Sequence, residues 1–224
     1  MLISLPEIVQ KYNLNTKGVV QVGAHWAEEH EIYVELGIKN IVYIEPCRNA
    51  FNVLMSKFVN QEEINGVILF NYACGENEGE LDMFISDNNQ GQSNSLLRPM
   101  LHLEQHKEIV FTHHESVRVI ALDKLSFDKT KYNLLIMDVQ GAEGLVLKGA
   151  TETLKHIDCI YTEVNRGQTY EGNMEIYEMD AYLSNFGFVR VETYWPSPSW
   201  TWGDAVYISY ELDHFYKTGV RLNP

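Results

Sequence analysis

Basic residues are scarce in this chain: 17 Lys and Arg stand against 31 Asp and Glu, a formal charge of −14 over 224 residues. Binding to a phosphate backbone runs on clustered Lys and Arg, so nucleic acid is not expected as a partner. Long apolar runs are missing as well. No stretch reaches the roughly 18 consecutive apolar residues that a spanning helix needs, so no membrane insertion is expected. The opening MLISLPEIVQKYN holds an acid, Glu7, and no basic leader, which argues against a secretory signal. Cysteine is sparse and odd in number: Cys47, Cys74 and Cys159 lie far apart, with no CxxC spacing. That pattern points to free thiols in a reducing compartment, by default the cytoplasm.

Hydrophobic residues make up 45% of the chain, enough for a globular protein with a sizeable core. The stretch Lys17–Pro46 reads as strand, tight turn, helix, strand. Gly18–Val22 is a short apolar run broken by Gly23-Ala24. Glu28–Leu36 puts Ile32, Tyr33 and Leu36 at helical spacing, with Glu28 and Glu29 in the first turn, where the helix dipole favours acids. Gly37 stops the helix, and Asn40–Ile44 is a second apolar run ending in Glu45-Pro46. Such a unit sets a glycine turn at a helix N-terminus and an acid at the tip of the next strand, where it can chelate a ribose diol. Glu45 lies 22 residues after Gly23, close to the ~20 of nucleotide-binding halves. A pyrophosphate binder wants G-x-G-x-x-G, and here only Gly23, Ala24 and Ala27 stand in the turn. The loop therefore suits S-adenosylmethionine, with a ribose and an amino-acid tail, better than NAD.

Along the rest of the chain strands alternate with helices. Residues 1–16 form an N-terminal helical segment, with Leu5, Ile8, Val9 and Tyr12 on one face and Ser4-Leu5-Pro6 opening it. Helices are expected over Arg48–Val59, Leu96–Ile109, Glu143–His156 and Asn173–Phe186. Further strands are expected over Gly66–Cys74, Glu80–Ser86, Ser116–Leu122, Lys131–Val139, Ile157–Val164, Phe188–Tyr194 and Ala205–Tyr210. Asp87–Ser95 is polar, either a solvated loop or a lid, within a loop insertion spanning 87–115. This alternation implies an α/β fold: a single doubly wound, mostly parallel sheet with an antiparallel last strand, in one domain over 1–224.

In open α/β sheets ligands sit beyond the carboxyl ends of the strands. The residues there are Gly23-Ala24-His25, Glu45, Ala73-Cys74, Asp138-Val139-Gln140-Gly141 and Glu163-Val164-Asn165. A carboxylate ending a buried strand is costly unless it finds a partner, which marks Asp138 and Glu163. The plain alternatives are that Asp138 caps the following helix and that Glu163 pairs with Arg166 or Lys148. His102 and His106 share a helix face but lack the glutamate of HExxH, so no zinc site is expected there. His113-His114 reads as a solvated pair. The segment Tyr194–Asp204 gathers Trp195, Trp200 and Trp202, rings suited to stacking on a sugar, to a subunit interface of a homo-oligomer, or to covering the sheet edge.

The segment YNLLIMDVQGAEGLVLKGATETL, with Asp138-Val139-Gln140-Gly141-Ala142-Glu143 followed by Val146-Leu147-Lys148-Gly149-Ala150, resembles the signature of FkbM-type methyltransferases. The resemblance runs on through VGAHWAEEHEIYVELG, YIEPCRNAFNVL, NYACGENEGELDMFIS, VRVIALDKL, YTEVNRGQTYEG and YLSNFGFVRV, from Val19 to Val191. It implies the seven-stranded class I methyltransferase sheet, S-adenosylmethionine as cofactor, and O-methylation of a carbohydrate or glycan hydroxyl. Alternatives are another small-molecule or nitrogen acceptor, or a cofactor-binding module that has lost catalysis. By position, Glu45 with Pro46 would hold the ribose, Ala73 and Cys74 would border adenine, and Asp138 would sit near the sulfonium. The family commonly has an acid at Gln21, a glycine at Ala27 and a lysine at Ile136. The methionine end would then rest on Gly23, Ala24 and the side chains of Gln21 or Glu29. A hydroxyl acceptor needs a base or a metal; Asp138, Glu163, His25 and one of His113 or His114 are candidates, and an Asp138/Glu163 pair could hold Mg²⁺.

Overall fold

A computed structural model describes residues 1–58 and 66–220. The strands are β1 (Gly18–Val22), β2 (Asn40–Ile44), β3 (Val67–Phe70), β4 (Ala73–Cys74), β5 (Gly79–Ser86), β6 (Phe111–Ile120), β7 (Leu134–Met137), β8 (Cys159–Asn165), β9 (Phe188–Tyr194) and β10 (Trp202–Ser209). The α-helices are α1 (Leu5–Lys11), α2 (His30–Glu35), α3 (Arg48–Phe58), α4 (Leu101–Gln105), α5 (Glu143–Lys148), α6 (Ile176–Ser184) and α7 (Tyr210–Thr218). Seven strands form one sheet in the order β3-β2-β1-β7-β8-β10-β9. β10 runs antiparallel to both neighbours while the other ladders are parallel. The expected mostly parallel, seven-stranded sheet with a reversed last strand is therefore present.

The strand pleat sends alternate residues into two cores. Val20, Val22, Leu135 and Met137 pack with Val146 and Leu147 of α5 and Met179 and Leu183 of α6. Val19, Leu134 and Ile136 pack on the other side with Leu5 and Ile8 of α1, Tyr33 of α2, and Leu54 of α3. Both faces of the central strands are thus covered, which is why their sequences are apolar throughout. Burying a Leu- or Val-sized side chain contributes about 1.5–3 kcal/mol, so losing either layer would unfold the sheet.

Several boundaries differ from the sequence expectation. The strand expected over Gly66–Cys74 ends at Phe70, where the Asn71 side chain turns to donate to the carbonyls of Glu45 and Pro46, each at 2.9 Å. Ala73-Cys74 instead joins a second, three-stranded sheet, β4-β6-β5, so the strands do not all lie in one sheet. The helix expected over Glu143–His156 stops after Lys148. A side chain at Gly149 would place its Cβ 2.1 Å from the Gly75 carbonyl oxygen, so the chain turns at this close approach and resumes as a 3₁₀ turn over Thr153–His156. Within Leu96–Ile109 only the five residues of α4 are helical. α7 follows β10 directly, its Ser209 cap accepting from Leu212 N–H, where the sequence reading ended on a strand. Val59, assigned above to α3, lies outside the described residues.

Candidate active site

The carboxyl ends of the parallel strands open into a cavity of about 550 Å³, within the range of cofactor and ligand sites. Its floor is the turn after β1. Gly23 adopts φ +79°, and a Cβ there would lie 1.9 Å from the Asp138 carbonyl oxygen, so only glycine lets β1 and β7 meet at this point. Gly23 and Ala24 donate their N–H groups to the Ile44 carbonyl at 3.0 and 3.1 Å, tying the turn to the tip of β2. The next residue there is Glu45. Its two carboxylate oxygens accept from His25 N–H and Cys47 N–H, each at 2.8 Å. Burial pushes the carboxyl up to about 7 against the pull of those N–H groups. Gln21 bridges outward: Nε2 donates to Glu29 Oε2 at 2.9 Å, and Oε1 accepts from Tyr33 Oη at 2.9 Å. The amide at this strand position therefore holds an acid, Glu29, at the cavity wall.

The centre of the cavity is a group of carboxyls joined through one amide. Gln140 Nε2 lies 2.7 Å from Asp138 Oδ1 and 3.2 Å from Glu163 Oε2, while its Oε1 accepts from Tyr170 Oη at 2.8 Å. Gln140 has φ +53°, a left-handed conformation that places its side chain back across the strand ends. Asp138 is open to the cavity but walled in by protein, and desolvation pushes it up to about 6. Glu163 is raised well above the carboxylate range, first by desolvation and then by Asp138, Glu143 and Asp204. Asp204 on β10 is itself raised by burial, and it accepts from Tyr161 Oη and, at 2.6 Å, from Leu2 N–H.

Neither plain alternative for the two strand-end acids matches these contacts. Capping of the turn before α5 falls to Glu143, whose Oε1 accepts from Val139 N–H at 3.0 Å and Gly141 N–H at 3.3 Å. Arg166 turns away from Glu163 to donate to the carbonyls of Ser197, Pro198 and Trp200, its guanidinium 4.4 Å from the Trp195 ring centroid. The Mg²⁺ expectation finds no support. Among the described residues no group of three or more His, Cys, Asp or Glu could hold a metal, and an amide N–H already lies between Asp138 and Glu163.

The walls come from segments distant in sequence. Pro46, Tyr72, Ala73, Cys74, Met83 and Leu96 make an apolar side next to Glu45. Burial pushes the Cys74 thiol up to about 12, so it faces the cavity as a neutral group. The polar 87–95 segment lies across the opening as a lid would. Gln90 O is 2.9 Å from His25 Nε2, Asn94 Nδ2 donates to Cys47 Sγ at 2.9 Å, and Ser95 Oγ donates to Gln140 O at 2.6 Å. His25 is thereby engaged at both nitrogens, since Nδ1 meets Glu28 Oε1 at 2.6 Å. Desolvation lowers its pKa, but Glu28, the Gln90 carbonyl and Glu45 together raise it above the ordinary value. As a base candidate it has no free lone pair in this arrangement. His113 and His114 stand on the exposed part of β6, outside this cavity.

At the far end Trp202 lines the cavity and donates its indole N–H to His106 Nε2 at 2.9 Å, while Trp200 stacks behind it at 5.2 Å between centroids. Trp195 and Trp200 do not reach the cavity, so the tryptophan segment contributes one ring to it rather than three. All the residues singled out at the strand ends as cofactor contacts (Gln21, Gly23, Ala24, Glu29, Glu45, Pro46, Ala73, Cys74 and Asp138) border this one space, as do Glu163 and His25. Sequence reasoning named Gln140 at a strand end and in the signature without giving it a role, weighed His102 only as a zinc ligand, and missed Tyr161, Tyr170 and Asp204. Of the last three only Asp204 left a local signal, an acid inside the apolar run WGDAVYIS.

A sheet of this order, with one reversed strand and a ligand-sized cavity at the carboxyl edge, defines the class I methyltransferase architecture. Solved structures of that class share the fold. The putative tRNA (m1A22) methyltransferase Sp1610 of Streptococcus pneumoniae superposes with a TM-score of 0.50 at 12% identity, over 93% of this chain and 71% of its own. The magnesium protoporphyrin IX methyltransferase ChlM of Synechocystis PCC 6803, solved with S-adenosylmethionine bound, gives 0.50 at 9% identity, over 91% and 75%. The chain belongs to the FkbM methyltransferase family, residues 21–190 matching the methyltransferase FkbM domain. It is 30% identical over 138 residues to the 2-O-methyltransferase NoeI of Sinorhizobium fredii, a match spanning 58% of this chain and 56% of that relative. Among the described residues no helix is long and apolar enough to cross a membrane.

Proposed function

We propose that the protein transfers a methyl group from S-adenosylmethionine to a hydroxyl of a carbohydrate or glycan. The observation that carries this reading is the convergence of Glu29, Glu45, Asp138 and Glu163 on one cavity. Acids of this number in a low-dielectric space fit a ligand that brings positive charge, and the cofactor has an ammonium and a sulfonium. A dinucleotide, with its negative pyrophosphate, would be repelled.

In this reading Glu45 holds the ribose hydroxyls, Pro46, Ala73 and Cys74 border adenine, and Gln21, Gly23, Ala24 and Glu29 receive the methionine end. When bound, the cofactor supplies an electrophilic methyl on a positively charged sulfur. What this chain contributes is alignment, since holding two reactants in line can supply about 7–11 kcal/mol of a barrier. Asp138, open to the cavity and steadied by Gln140, is suited to fix the acceptor in that line. Glu163, raised well above the carboxylate range by burial and the neighbouring acids, lies beside it. The 87–95 segment, tied to His25, Cys47 and Gln140, is placed to act as a lid over the bound cofactor. Similarity to a 2-O-methyltransferase and the ring of Trp202 at the cavity's far end support a sugar hydroxyl over a nitrogen acceptor. Calorimetry with S-adenosylmethionine, followed by turnover assays against methyl glycosides, tests the reading. Absence of cofactor binding would reject it.

A further inference from the structure

Three histidines line the cavity: His25, His102 and His106. Two of them are occupied. His25 meets Glu28 and the Gln90 carbonyl, and His106 receives the Trp202 indole N–H on Nε2 while Nδ1 lies 3.5 Å from Glu108 Oε1. His102 is different. It is 4% exposed, its Nδ1 is fully buried without a partner, and no hydrogen bond from the described residues reaches either ring nitrogen.

A buried polar group left unpaired costs about 1–3 kcal/mol, and such groups are rare in folded proteins. Packing alone would not call for an imidazole here. The ring lies between Phe111 at 5.6 Å, Tyr170 at 5.4 Å and His106 at 4.9 Å, aromatic company that a phenyl ring would satisfy as well. The backbone is also held in place. Met100 N–H and His102 N–H both donate to the Thr169 carbonyl, at 2.9 and 3.2 Å, so the short α4 is pinned to the loop after β8. Through Tyr170 and Gln140 that same loop is joined to Asp138 and Glu163. An unpaired imidazole is therefore fixed on the wall of the cavity, beside Trp202, whose only polar group is already spent.

We propose that His102 is the residue that meets the acceptor, its imidazole taking first the hydrogen bond and then the proton of the hydroxyl being methylated. The proposal rests on the methyl-transfer reading above. In the step, the hydroxyl oxygen forms a bond to the methyl carbon as the S–C bond breaks, and that electron pair stays on sulfur, leaving a neutral thioether. The O–H proton passes to Nε2 of His102, the ring nitrogen that is neither hydrogen-bonded nor fully buried. Because the oxygen gains positive character as it shares its lone pair, even a weak base suffices. Burial, helped by His106 at the end of α4, lowers the His102 pKa to about 4, so the ring is neutral and able to accept near neutrality. The other groups facing it are Glu108 just beyond α4, Tyr170 from the loop after β8 and the apolar Phe111 on β6.

The test uses the full chain with isotopically labelled histidine, loaded with S-adenosylhomocysteine and titrated with a panel of methyl glycosides. His102 signals are identified by their loss in His102→Phe. The expected result is that one glycoside shifts the His102 ring-nitrogen signals and leaves those of His25 in place. For that glycoside, His102→Phe should lower kcat/KM about 100-fold or more, with the S-adenosylmethionine Kd preserved and the Tm unchanged or raised. His102→Gln, which keeps a polar atom near the Nε2 position, should recover part of the loss and serves as the working variant if the Phe variant does not fold. A glycoside turned over by His102→Phe at close to the normal rate would overturn the proposal. So would a panel that moves no His102 signal. Failure of S-adenosylmethionine to bind the unaltered protein would be seen before any sugar is added; it would overturn the methyl-transfer reading itself and the assignment of His102 with it.

Discussion

Glu163 and Asp204 are register partners across the antiparallel ladder of β8 and β10, two carboxyls side by side on the wall of one cavity. Like charges directly opposite one another on a sheet are destabilising, and here both groups are also desolvated. Burial is the first cause that raises both pKa values, and Asp138, Glu143 and Asp204 add to that of Glu163, which lies well above the ordinary range.

This pair makes stability pH-dependent with a definite sign. Glu45 and Glu143, raised to about 7, and Asp138, raised to about 6, add to it. Each carboxyl binds its proton more tightly folded than unfolded, so its contribution is complete below the ordinary carboxylate range and is lost as pH rises through the folded value. His25, also raised, has the same sign, while His30 and His102, both lowered, act in the opposite sense only below their ordinary 6.5. Without ligand, Tm should therefore fall between about pH 6 and about pH 8, and Asp204→Asn should flatten the slope. A Tm that rises over this interval would contradict the arrangement of the acids.

Cofactor binding should depend on Glu45. Its oxygens are anchored by two backbone N–H groups at the tip of β2, which fixes the carboxylate where a ribose diol would meet it. Glu45→Ala should weaken S-adenosylmethionine by roughly 1.5–3 kcal/mol, the worth of hydrogen bonds to a charged group. An unchanged Kd by calorimetry would remove Glu45 from the cofactor site.

Asp138→Asn separates chemistry from architecture. The amide can still accept from Gln140 Nε2 through its oxygen, and the cap of α5 belongs to Glu143, so the fold has no reason to suffer. Turnover should fall by about 10² with Tm nearly constant. Activity near that of the unaltered protein would assign Asp138 to structure alone.

The two stacked tryptophans should behave differently. Trp202 lines the cavity and Trp200 only backs it. Trp202→Ala should raise the acceptor KM by roughly two- to tenfold, in line with about 0.5–1.5 kcal/mol for an aromatic contact beyond its area, and leave the cofactor Kd alone. Trp200→Ala should have a smaller effect of the same kind. Equal losses of folding in both variants would mean that these rings serve packing, and a change in oligomeric state with unchanged kinetics would assign them to a subunit interface.

Much of this was written locally in the sequence. Apolar runs with a period suited to two-sided burial marked β1, β2, β7 and β8, and an acid at the end of such a run stood out because desolvation makes it costly. Gly23, Glu45, Asp138 and Glu163 were legible on those grounds, since strand direction alone brings their ends to one edge. Helix lengths were less so. Propensity over Glu143–His156 is continuous, and what ends α5 is the contact of Gly149 with the Gly75 carbonyl, a neighbour 74 residues away. The centre of the site was decided by tertiary structure alone. Asp204 reaches Glu163 only because β10 inserts between β8 and β9, and Gln140 joins three residues only because its backbone turns left-handed. His102 lies on the wall because Thr169 holds α4 there, and nothing in HLEQH distinguishes a free imidazole from one already paired. Local pattern reports which side chains a strand or helix must bury; which polar groups then meet, and which is left without a partner, depends on contacts between distant segments.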